Sequence, residues 1–213
     1  HARAYEEVFS EILKDVEKDG FSRRVVYEVT RRKIGLPEPK VVEGLIEDLE
    51  LKRENLDTQE LILNYRKNLV RLINEKPIPV FPGVVDFLKD LGRKRQFTGV
   101  VTGNHSSYGS IVLTKSGLIK YFDVLSYCDN ALSKPEIAAE AVRISESRSL
   151  DYEFIVSIGD SKSDIEGGKS VGAFTVGVLT GANTENDLRS AGAHRVIPDL
   201  TNYTKIYEAV RSI

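Results

Sequence analysis

Two aspartates carry the sharpest chemical signal in the chain. The run Phe154-Ile155-Val156-Ser157-Ile158 is an apolar strand, and Gly159-Asp160-Ser161-Lys162-Ser163-Asp164 follows it. Asp160 stands at the strand terminus and Asp164 four residues later, in the first turn of the next helix. Two carboxylates converging on one strand end suit a hard cation with oxygen ligands, most naturally Mg²⁺. The competing reading makes both of them N-cap and first-turn acids stabilised by the helix dipole. Gly159 before the pair, and Gly167, Gly168 and Gly172 after it, imply close backbone approach and weigh against that reading. A second strand end, Gly99-Val100-Val101-Thr102-Gly103-Asn104-His105, offers a hydroxyl, an amide and the free N–H groups of a following helix, which is an anion site. The same residues are also ordinary turn and cap chemistry. A third, Asp123-Val124-Leu125-Ser126-Tyr127, leads to a loop holding Ser133-Lys134-Pro135-Glu136. Proline suits the first helical turn, which fixes the loop and aims Lys134 at the sheet edge. A solvated surface lysine is the alternative there.

The elements that position these residues follow from periodicity. Short β-branched runs at 97–102, 123–127, 154–158, 174–179 and 195–197 alternate with helical patterns near 84–94, 106–117, 136–147, 161–171, 184–191 and 201–213. Apolar strands alternating with helices predict a parallel sheet covered on both faces, with the ligand site at the strands' carboxyl ends. Before residue 77 the pattern is purely helical. Tyr5, Val8, Phe9, Ile12, Leu13 and Val16 share one helix face, Val25, Val26 and Val29 continue the theme, and Val41, Val42, Leu45, Ile46 and Leu49 form a third stripe. Asp57 with Glu60 introduces a fourth helix through Leu61, Ile62, Tyr65, Leu69, Leu72 and Ile73. Three glycines fall in 1–76 and thirteen in 77–213, with Pro77, Pro79 and Pro82 as a stiff linker. The expected organisation is α/β: a Rossmann-like core over 77–213, with a small all-α unit over 1–76.

Composition narrows the function classes. Of 213 residues, 41% are hydrophobic and 29% charged, which excludes intrinsic disorder and fibrous architectures. Thirty basic and 32 acidic side chains leave a formal charge of −2, split evenly between the two parts. A nucleic-acid or membrane-surface partner calls for a basic excess, so neither is expected. No apolar stretch approaches the ~20 residues of a membrane span, and no signal peptide opens the chain. Cys128 is the single cysteine and has no internal disulfide partner. The expectation is a soluble cytoplasmic protein, a monomer or homodimer. The chain opens on His1 and contains no methionine, so further residues are expected upstream.

In order and position, Thr102-Gly103-Asn104, Lys134-Pro135 and Gly159-Asp160-Ser161-x-x-Asp164 resemble the haloacid dehalogenase superfamily. The resemblance covers nearly the whole chain. Gly117-Leu118-Ile119-Lys120-Tyr121-Phe122-Asp123-Val124 and Thr175-Val176-Gly177-Val178 are similar to the branch containing phosphoglycolate phosphatases, whose members insert a helical cap between the first two strands. That matches 1–76. The resemblance implies that Thr102, with Gly103 and Asn104, binds the transferring phosphoryl group. It further implies that Lys134 balances its charge, that Asp160 ligates Mg²⁺, and that Asp164 supports the metal directly or through water. The implied activity is hydrolysis of a small phosphomonoester, a phosphorylated metabolite, through an aspartyl-phosphate. A phosphomutase or pyrophosphatase is the sister reading, and a non-catalytic phosphate- and metal-binding protein the rival one.

One departure matters. The family's first motif, Asp-x-Asp-x-Thr after the central strand, supplies the nucleophile, and this sequence holds no such segment. Asp19-Gly20 imitates it, but a helical pattern precedes it. The motif strand is expected between the strands at 97–102 and 154–158, on roughly 10–20 residues upstream of His1. Four lesser candidates remain. His105 follows the phosphate loop and reads equally as a substrate contact or a cap. His194 reads as surface, and Cys128 as a small buried side chain. Arg23, Arg24, Arg31, Arg32 and Lys33 in the helical part read as solvated faces or as contacts to an anionic substrate.

Overall fold

The computed structural model describes residues 7–9, 26, 28, 30, 33, 36, 38–51, 56–75, 77–129 and 133–211. Two long helices come first, α1 (Glu38–Asp48) and α2 (Thr58–Glu75). The core follows as α3 (Val84–Arg93), β1 (Gly99–Val101), α4 (Ser106–Lys115), a 3₁₀ turn (Ile119–Tyr121), β2 (Val124–Ser126), α5 (Lys134–Ser147), β3 (Val156–Gly159), α6 (Lys162–Ser170), β4 (Phe174–Val178), α7 (Glu185–Ser190), β5 (Arg195–Ile197) and α8 (Thr204–Val210). All five expected strands and all six expected core helices are present, most of them a residue or more shorter at their ends. Of the first two expected helices, only helical residues 7–9, 26, 28, 30 and 33 are described. The remainder, with Asp19, Gly20, Arg23, Arg24, Arg31 and Arg32, lies outside the described residues.

Every strand pairing is parallel. β1 pairs β2 with Gly99 opposite Val124, while β3, β4 and β5 form a second sheet in that order, with Gly159 opposite Gly177. The sheet thus comes in two segments, and β1 and β3 do not pair with each other. The expectation places the motif strand between these two. Helices α5 and α6 pack together across the seam, α5 on the β1–β2 segment and α6 on β3 and β4.

Strand alternation explains how helices cover both faces. Val156, Ile158, Phe174, Val176, Val178 and Ile197 point to one face, where Phe87 of α3 and Ile206 of α8 complete an apolar cluster. Ser157 and Thr175 point the other way, toward α6. A Cβ on Gly168 would lie 2.6 Å from Ser157 and 2.9 Å from Thr175, so only glycine lets α6 sit this close. A second cluster fills the helical part: Val41, Val42, Leu45, Ile46 and Leu49 of α1 and its end meet Leu61, Tyr65, Leu69 and Ile73 of α2. Tyr108, Ile111 and Val112 of α4 join it, so the helical part and the core share apolar packing. No helix among the described residues is long and apolar enough to cross a membrane.

Candidate functional site

The carboxyl ends of β1 and β3 and the start of α5 open on one cavity of about 200 Å³. From the core it is lined by Thr102, Gly103, Asn104, Lys134, Asp160, Ser161 and Asp164. All six residues singled out by the sequence therefore meet at one place. Thr30, Leu36, Glu38 and Tyr65 face them from the helical part, beside Tyr108 of α4.

Each side chain is held by local sequence chemistry. Ser161 caps α6 and accepts from the Asp164 amide at 3.2 Å, while Asp164 Oδ2 accepts from the Ser161 amide at 3.1 Å and its hydroxyl at 2.6 Å. This reciprocal cap fixes the Asp164 carboxylate. Ser133 caps α5, with Pro135 in its first turn, and Lys134 at the helix start is 8% exposed. The Lys134 ammonium donates to Asp164 Oδ1 at 2.7 Å and to the Val101 carbonyl at 3.4 Å. It therefore ties the first turn of α6 to the end of β1, across the seam. In the loop after β1, the Asn104 amide donates to Thr102 Oγ1 at 3.2 Å, and Thr102 is held by its own amide on the Ser126 carbonyl at 3.0 Å.

The two carboxylates differ electrostatically. Burial raises the Asp160 pKa and the neighbouring Asp164 charge adds to this, with Lys134 opposing both. Burial also acts upward on Asp164, but Lys134 and the Ser161 hydrogen bonds outweigh it and hold this carboxyl below its usual range. The site therefore holds one firmly ionised carboxylate, committed to Lys134 and Ser161, beside a second whose charge lacks full compensation. No group of three or more His, Cys, Asp or Glu side chains clusters among the described residues. Two carboxylates amid hydroxyls fit Mg²⁺, which takes one or two protein carboxylates and completes its shell with water and phosphate oxygens.

A family model described as haloacid dehalogenase-like hydrolase matches residues 5–178. The chain belongs to that family. The hydrolase is 28% identical over 180 residues to the phosphorylated carbohydrates phosphatase of Thermotoga maritima, covering 82% of this chain and 80% of that one. It is 28% identical over 104 residues to the phosphoglycolate phosphatase of Escherichia coli, 49% of this chain and 41% of that one. In fold it superposes on β-phosphoglucomutase from Clostridium difficile at a TM-score of 0.77, with 16% identity over 99% of this chain and 91% of that chain. A hydrolase from Pseudomonas syringae superposes at 0.73, with 20% identity over 98% and 92%.

The lesser candidates of the hydrolase fall elsewhere. His105 is the N-cap of α4, its Nδ1 accepting from the Ser107 amide at 3.1 Å, and it does not line the cavity. His194 is exposed yet engaged: Nδ1 accepts from the Thr175 amide at 3.0 Å and the ring stacks on Phe174. Cys128 is buried, which pushes its thiol up. Lys33 pairs with Asp48 at 3.0 Å. Sequence reasoning missed Glu38, a 2% exposed carboxylate held by two guanidinium nitrogens of Arg66, with contacts down to 2.6 Å. One glutamate at a helix start carries no signal. It also missed Gly181, although Thr180-Gly181 follows β4 much as Thr102-Gly103 follows β1.

Proposed function

We propose that the chain forms the phosphate- and cation-binding side of a Mg²⁺-dependent phosphatase acting on a small phosphomonoester. One observation carries this: a buried Lys134 ammonium at the seam, held by Asp164 and the Val101 carbonyl, with Thr102, Asn104 and Asp160 around the same cavity. An ammonium so placed offsets charge on a phosphoryl group that the Thr102 hydroxyl and the loop amides receive. Asp160, supported by Asp164, would hold Mg²⁺. When bound, that cation supplies positive charge against the negative charge spread over the transferring group. The nucleophile in this reading is the first aspartate of the family's Asp-x-Asp-x-Thr motif, on a strand between β1 and β3. Its carboxylate attacks phosphorus and the ester P–O bond breaks. The leaving oxygen takes a proton from the motif's second aspartate, and water then hydrolyses the acyl phosphate.

Residues 1–76 act as the cap that selects the leaving group. The wall they contribute carries Thr30, whose hydroxyl donates to the Val26 carbonyl at 2.7 Å, with Tyr65, the apolar Leu36 and Val41, and Glu38, its charge tied to Arg66. Among the described lining residues Lys134 is the one cation, and it serves the phosphate end. The substrate in this reading is a small phosphorylated metabolite of the carbohydrate class. The name of the Thermotoga relative agrees. The test is phosphate release by the full-length native protein from a phosphomonoester panel, with and without Mg²⁺. The expected result is Mg²⁺-dependent turnover that falls on the order of 10²-fold or more in Asp160→Asn and Lys134→Met. Absence of phosphate release from every member of the panel would overturn the reading.

A further inference from the structure

The loop after β4 takes no part in the chemistry above, yet it closes one side of Asp160. A Cβ built on Gly181 would stand 2.6 Å from Asp160 Oδ2, 2.7 Å from its Cγ and 2.9 Å from its Cβ. All three nearest atoms belong to that one side chain. Gly181 is not among the glycines with positive φ, so its backbone conformation is open to any residue. What glycine provides here is contact distance. A turn about χ1 carries Cγ and Oδ2 away but leaves the Cβ contact, so relief of the clash swings the carboxylate to another position and shifts the backbone as well.

The loop itself is anchored to the start of α6. Asn183 Oδ1 accepts from the Lys162 amide at 3.0 Å, and the Lys162 ammonium pairs with Asp187 Oδ1 at 2.7 Å. Asp187 also completes the cap of α7 with Thr184, accepting from its amide at 3.0 Å and its hydroxyl at 2.7 Å. The chain from Gly181 to Asp187 is thereby fastened to the residues that immediately follow Asp160.

We propose that Gly181 is a positioning residue for the Asp160 carboxylate, with Asn183 holding the glycine in place. The absence of a side chain at Gly181 leaves room for Asp160 in the rotamer seen at the cavity, which a larger residue would displace. The proposal rests on the reading of Asp160 as the cation-holding carboxylate.

The measurement is Mn²⁺ affinity of the full-length native protein, followed by the electron paramagnetic resonance of free Mn²⁺. Alongside it run far-UV circular dichroism and thermal unfolding. Gly181→Ala is expected to weaken Mn²⁺ on the order of tenfold, as loss of a supporting partner does, with the dichroism unchanged. Asn183→Ala, which removes one exposed hydrogen bond, is expected to weaken it about threefold, and it carries the test should Gly181→Ala fail to fold. Gly92→Ala is the control expected to leave Mn²⁺ affinity unchanged, since nothing stands within 4 Å of that position. A merely structural role lowers the unfolding temperature and leaves Mn²⁺ affinity alone. If Asp160→Asn weakens Mn²⁺ while Gly181→Ala and Asn183→Ala bind it like the parent, the positioning role is overturned and the reading of Asp160 survives. If Asp160→Asn itself leaves affinity unchanged, that reading falls and the positioning role falls with it.

Discussion

Asp160 and Asp164 sit four residues apart and titrate in opposite directions, which makes the pair readable by stability. Asp164 has a folded pKa below its unfolded one, so its ionised form stabilises the protein above the ordinary carboxylate range. That contribution disappears as pH falls through the lowered folded value. Asp160 has a raised folded pKa, so it costs stability as pH rises through that value. In cation-free protein at pH 7, Asp160→Asn is therefore expected to raise the thermal midpoint by about 2 °C while it weakens divalent-cation binding. A fall in the midpoint would mean that the carboxylate is compensated by groups other than Lys134. Lys134→Met leaves Asp164 buried without its ammonium, and its cost is expected to be roughly 3 kcal/mol at pH 7. That deficit should narrow as pH falls through the lowered value at which Asp164 protonates, and denaturant titrations at pH 7 and in acid compare the two. The residue types that line the cavity were legible because a strand end followed by Gly-Asp or Thr-Gly is a local pattern. The partition of Asp164 to Lys134 was not, because it depends on how closely α5 and α6 approach.

That approach is a property of the elements, and glycines set it. Gly167 faces Lys134 and Gly168 faces Ser157 and Thr175, so the middle of α6 is wedged between α5 and the sheet. Gly168→Ala is expected to destabilise by about 1–3 kcal/mol through overpacking, despite the better helix propensity of alanine. Gly92→Ala, late in α3 with open space around it, is expected to stabilise by up to about 1 kcal/mol for the same propensity reason. Chemical denaturation of both variants checks the pair, and equal signs would contradict the packing described for α6. Strand and helix positions in the core were readable because period-2 runs and glycine or proline breaks mark them on the sequence itself. The division of the sheet into two segments has no such mark, since pairing joins residues far apart in the chain.

At the scale of the whole molecule, the shift at residue 77 from a glycine-poor helical stretch to a glycine-rich one suggested a simple two-part division, but apolar packing crosses it. Tyr108 of α4 is 1% exposed and meets Tyr65 of α2 edge-on at 6.1 Å between ring centroids. Lys115 of α4 donates to the Ile73 carbonyl at 2.7 Å. Period-3.6 stripes on α1 and α2 announced an apolar face without saying what would cover it, and part of the answer is α4. A fragment of residues 77–213 is therefore expected to bind the dye ANS and to self-associate, through the face that Tyr108, Ile111 and Val112 then expose. Fluorescence and sedimentation of the fragment beside the whole chain test this. A monomeric fragment that leaves the dye dark would show that the helical part is dispensable to the core.

The ion pair from α5 to α6 has a further consequence, for the time course of local opening. Among the described residues the β1–β2 and β3–β4–β5 segments share no strand pairing, so within them helix packing and the Lys134 ammonium are what couple the two. Amide hydrogen exchange resolves such units when their opening energies differ. β4, paired on both sides, is expected to fall in the slowest-exchanging class, and Lys134→Met is expected to release the β1–β2 amides about tenfold sooner while β4 keeps its protection. The salt bridge that the proposed function assigns to phosphate would thus also serve as a latch between the two sheet segments.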